Sequence, residues 1–148
     1  MNFQPILWGG LIAGTLDICA AFVSAWLRAG VGPVRVLHSV ASGLLGPDAF
    51  QGGTKIAVLG LVLHFLIATI WTVIFYLASR KLLFLVERPV TFGLVYGIVV
   101  YLFMNFVVLP LSRATPRPVP LSGRIIGLLI IMFCIGLPIS LIVRRFSR

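Results

Sequence analysis

Acidic residues are nearly missing from this sequence: 3 of 148 residues are Asp or Glu, against 12 Lys and Arg, and charged residues make up 10% of the chain. Soluble domains carry about 25%, so an ordinary water-soluble domain is excluded. Cysteine is scarce as well, with 2 in all. Cys19 and Cys134 both lie inside apolar runs, which argues against a disulfide framework or a thiolate metal site and leaves them as small packing residues. The opening MNFQP has no Lys or Arg ahead of the first apolar run, and LDIC lacks a small residue before its cysteine. Neither a secretory signal nor a lipidated start is expected, and the first run should stay in the mature protein. No H-E-x-x-H, G-x-S-x-G or glycine-rich phosphate loop occurs, and no Ser or Cys nucleophile can be given a nearby base. No catalytic residue and no metal is assigned. The 2 histidines do not offer two axial ligands at matched depth, and no cofactor is expected.

What is present is apolar. With 60% hydrophobic residues and a mean hydropathy of +1.15, the chain reads as an all-α integral membrane protein whose length four spans and their connections use up. One transmembrane domain over 1–148 is expected, an antiparallel bundle with spans at about 6–27, 55–79, 89–109 and 122–143 and a short interfacial helix at about 33–45. Pro5 suits the first turn of span one, and Arg28, Gly30 and Gly32 close it. Pro33 opens the interfacial helix, whose apolar Val34, Leu37, Ala41, Leu44 and Leu45 oppose Arg35, His38, Ser39 and Ser42; this pattern puts His38 on a solvated face. Pro110 ends span three, RATPRPVP forms an extended loop, Ser122 caps span four, and Pro138 kinks it.

Small residues recur at helical spacing. Gly10 and Gly14 share a stripe with Asp17, Gly60 one with His64, and Gly93 with Gly97 and Gly123 with Gly127 form two GxxxG pairs. Such stripes let membrane helices approach closely. The net charge of +9 sits between or after the apolar runs, which favours anionic headgroups of the lipid bilayer over nucleic acid. Arg28, Arg35, Arg80, Lys81, Arg144 and Arg145 read as headgroup anchors. Six basic residues fall on each side of the bundle, so charge does not fix orientation; tighter clustering of one set favours both termini in the cytoplasm.

Asp17, in the middle of span one, calls for a partner, because an isolated carboxylate in hydrocarbon is costly. At 1.5 Å of rise per residue, Asp17, His64 and Asn105 lie roughly 17, 22 and 24 Å from the same side of the bundle. An antiparallel bundle can therefore gather Asp17, His64, Asn105 and Tyr101 into one polar cluster or proton relay.

The layout also resembles a known family. GGLIAGTLD in span one, ASGLLG in the loop helix, a GG pair followed by GLVLHF in span two, and Y-x-x-x-N followed by LP before a proline-rich loop are similar to a family of small four-helix bacterial inner-membrane proteins of unknown function. The resemblance implies an inner-membrane location and four helices, and no activity. Three functions stay open: a non-enzymatic structural or accessory subunit, in a homo-oligomer or larger membrane complex, which the sequence favours narrowly; a small proton-coupled transporter or permeation pathway using Asp17 and His64; and a lipid-modifying enzyme.

Overall fold

A computed structural model describes residues 1–148 and is helical throughout, without strands. The elements are α1 (Gln4–Ala29), α2 (Pro33–Leu45), α3 (Thr54–Lys81), α4 (Pro89–Leu111) and α5 (Leu121–Phe146), with a 3₁₀ turn at Gly46–Gln51 and one helical turn at Phe84–Glu87. Four of them, α1, α3, α4 and α5, are long and apolar enough to cross a membrane.

Proline and glycine punctuate these helices. Pro5 and Pro33 sit in first turns, where a missing N–H has no cost. Gly30, at φ +63°, takes the left-handed conformation that ends α1, and its N–H donates to the Trp26 carbonyl at 2.9 Å. Pro110 and Pro138 act differently. Each lies inside its helix, and each is preceded by a π-helical turn, Met104–Val108 and Met132–Gly136. A proline ring clashes with the carbonyl four residues earlier and supplies no N–H, and a widened turn absorbs both defects. Span three therefore runs through Pro110 to Leu111 instead of stopping at Leu109. Ser122 lies within the first turn of α5 and makes no capping hydrogen bond, whereas 113–120 is free of helix as expected.

Packing follows two close pairs. In α1 against α3, a Cβ at Gly10 would touch Thr69, and one at Gly14 would come within 2.7 Å of Phe65. In α4 against α5, Gly93 faces Ser140 and the backbone at Gly136 and Leu137, and a Cβ at Gly97 would lie 2.5 Å from the Cα of Met132. Here the chains touch backbone to backbone. Gly136 is the α5 glycine at this contact. The expected pair does not take that place: Gly123 lies under the Arg28 guanidinium, and Gly127 has only an ordinary 3.6 Å neighbour in Tyr101. The reason is the register, which puts Gly123 level with the end of α1 and brings Gly136 against Gly93 and Gly97.

The pairs join through α1 and α5. Between α3 and α4 stand large rings: Trp71 meets Tyr96 and Phe103 edge to face, with centroids 6.2 and 5.4 Å apart, and Phe75 meets Tyr96 at 4.9 Å. The core, centred on Phe75, Tyr76, Ile139 and Val143, lies on the side of these rings nearest the short α3–α4 connection. On the other side α3 and α4 part, and α2 lies across the opening.

Candidate functional site

The space between α3 and α4 is a cavity of about 270 Å³, walled mostly by apolar side chains such as Trp71, Met104, Val108 and Ile135. Four polar side chains reach it: Asp17 from α1, His64 from α3, Ser39 from α2 and Ser112 beyond α4. None of the basic residues lines it. The cavity exists because glycine contacts close the pairs α1/α3 and α4/α5 while aromatic rings hold α3 and α4 apart.

Asp17 and His64 come together through the same packing. Gly14 lets α3 approach until His64 Nε2 donates to the Gly14 carbonyl at 2.9 Å, a turn before Asp17. That places Nε2 3.8 Å from Asp17 Oδ2. The distance suits a charge interaction and is too long for a hydrogen bond. The carboxylate has no other cationic partner, and the two side chains stay 18% (Asp17) and 13% (His64) exposed. The site is therefore open to the cavity instead of being sealed by side chains. A space of this size has room for water beside the two polar side chains.

The other expected members lie elsewhere. Asn105 Nδ2 donates to the Tyr101 carbonyl of its own helix at 2.8 Å, and the Tyr101 ring lies over Gly127 of α5. Neither lines the cavity. The α4 strip that does, Val100, Met104 and Val108, is one residue removed, roughly 100° around the helix. Depth along the axis brought these residues level with Asp17, but their azimuth turns them away from the cavity, Tyr101 towards α5.

His38 is corrected as well. It is 6% exposed, and its Nε2 donates to the Gly53 carbonyl at 3.1 Å. Ser42, from the same polar face, is 3% exposed, while Val34 and Leu44 point outward at 55% and 53%. α2 thus turns His38, Ala41 and Ser42 to the protein, while Arg35 and Ser39 stay exposed. It seats by backbone contact, the Leu37 carbonyl lying directly over Gly60 of α3, and the Gly43 carbonyl accepts from the Arg113 N–H at 2.9 Å. Trp71, which the helical pattern puts on the face of His64 seven positions earlier, lines the cavity, as does Met104, which no pattern in the sequence marked.

The expected headgroup anchors lie at helix ends. Arg28 covers Gly123, Arg35 lies 5.1 Å from the Phe50 ring centroid, and Arg80 donates to the Tyr76 hydroxyl at 3.3 Å. Lys81, Arg144 and Arg145 fall in the last turns of α3 and α5.

No family model matches the chain, and neither does a curated protein or a solved structure.

Proposed function

We propose that this chain is a multi-pass inner-membrane protein, similar to the small four-helix bacterial proteins named above, in which Asp17 and His64 form the proton-binding site of a small proton-coupled transporter or permeation pathway. The observation that carries this reading is the cavity. A carboxylate and an imidazole 3.8 Å apart, both open to a space that reaches Ser112 beyond the end of α4, can take up and release a proton without repacking the helices. A register-fixing polar contact has no need of such an opening.

Insertion in the bilayer is supported by the outer surface. Val62, Leu66, Ile70 and Ile74 form an exposed apolar face along α3, at 58%, 53%, 47% and 44% exposure, which is stable against lipid and not against water. Alternating, antiparallel crossing is supported by contact order: Gly10 meets Thr69 and Gly14 meets Phe65, and likewise Gly93 meets Ser140 and Gly97 meets Met132, partner numbers falling as the first rise. Both termini then share one side, which we assign to the cytoplasm.

The structural or accessory role remains as a second reading, supported by the His64 to Gly14 hydrogen bond, which ties α3 to α1 whatever its protonation state. Reconstitution in liposomes containing a pH-sensitive dye separates the two. The transporter reading expects proton flux in the wild type that is lost in Asp17→Asn and reduced in His64→Ala. Equal flux in all three proteins contradicts it and leaves the structural role.

A further inference from the structure

The cavity also has a chemical character of its own. In a chain with 12 basic and 3 acidic residues, the space between α3 and α4 is lined by an acidic residue and by no Lys or Arg. The groups facing Asp17 can be named element by element. His64 comes from α3, the Cys134 thiol lies within electrostatic reach on α5, α2 supplies the hydroxyl of Ser39, and α4 supplies only apolar Val100, Met104 and Val108. Of these, His64 already spends its Nε2 proton on the Gly14 carbonyl. The acceptor positions of Asp17 are left without a protein donor. An apolar wall with a single carboxylate that lacks a protein hydrogen-bond donor, and with an indole, favours an occupant that is apolar over most of its surface and carries one positive charge, because such a charge is attracted both to the carboxylate and to an aromatic ring. At about 270 Å³ the space falls just below the ~300 Å³ at which ligand pockets usually begin, so the occupant is small.

We propose that the cavity binds a small organic monocation with an apolar body, its cationic head against Asp17 and its body between Trp71 and Met104. This rests on the reading of Asp17 and His64 as a proton-linked site and names its ligand class. The cation and a proton compete for one carboxylate, so that loading either expels the other. Binding of the cation is thereby linked to release of the proton, since both cannot be held by Asp17 at once.

The test uses the full chain in phosphatidylcholine nanodiscs, which carry no anionic headgroups to adsorb the probe. Calorimetric titration with benzyltrimethylammonium should give saturable binding at one site, and titration with benzenesulfonate, of similar size and opposite charge, should give none. Asp17→Asn should weaken the cation at least about thirty-fold, as expected when one member of a buried charge pair is removed. Met104→Trp, which fills the cavity and leaves Asp17 in place, should also abolish binding with an unchanged melting temperature, so the result does not depend on the folding of one variant. Wild-type binding that survives both substitutions, or no saturable binding to the wild type, overturns the proposal. Repeating the titration in buffers of different ionisation enthalpy counts protons released. Binding of the cation without proton release contradicts the proton-linked reading and leaves the ligand class standing. Asp17-dependent proton flux without cation binding contradicts the ligand class alone.

Discussion

Around Phe75, Ile139 and Ser140 the helices are closed, and around Asp17 and Met104 they are open, although both regions are built from the same apolar alphabet. In the first, Phe75 and Ile139 are 0% exposed and the Ser140 hydroxyl donates to the Pro89 carbonyl at 2.6 Å, fixing α5 to the start of α4. In the second, α3 and α4 meet only through the rings of Trp71, Tyr96 and Phe103, and Ser39, Val40 and Gly43 of α2 line the space beyond them. The difference teaches that residue size, more than hydrophobicity, decides where this helical bundle is solid. For helices in a bilayer, as proposed here, lipid is as apolar as leucine, so burial gives no transfer gain and packing must hold them. Glycines bring α4 and α5 into backbone contact, while Trp71 and Phe103 act as spacers.

The contrast can be broken most severely at Gly97. A leucine there would collide with the backbone at Met132, which cannot swing aside as a side chain can. A loss of about 3 kcal/mol or more is expected, seen as loss of the monodisperse peak in size-exclusion chromatography, whereas Gly127→Leu, facing only the Tyr101 ring, should retain that peak.

A milder cut compares the two regions directly. Phe75→Ala leaves a hole of roughly 100 Å³ in the closed region and should cost about 2 kcal/mol from the cavity term alone. Met104→Ala only enlarges a space already present and should cost less than about 0.5 kcal/mol. Thermal or steric-trapping unfolding in detergent measures both, and equal losses would mean that the two regions are packed alike. Between these two losses falls Ser140→Ala, which removes one interhelical hydrogen bond and should cost about 0.6 kcal/mol by the same measurement.

The sequence made the four long helices legible, because apolar runs of bilayer length separated by Pro, Gly and Arg have few other readings. It made the meeting of Asp17 and His64 legible too, through two stripes of small residues at similar depth. Azimuth was beyond it. Tyr101 and Asn105 miss the cavity by one residue's rotation, and no axial count detects that. The inward turn of His38 was hidden for another reason: an amphipathic pattern shows that a helix has two faces, and tertiary contacts at Gly53 and Gly60 decide which one meets the protein. The cavity was invisible because it arises from the sizes of rings on two helices and belongs to neither.

The most direct test of a proton-binding site at the base of an open cavity is an infrared pH titration of the protein in nanodiscs, following the carbonyl stretch of a protonated carboxyl group. The account predicts one such band that titrates reversibly, disappears in Asp17→Asn, and changes its midpoint in His64→Gln. A spectrum without a titrating band assignable to Asp17, or a midpoint indifferent to His64, would contradict it.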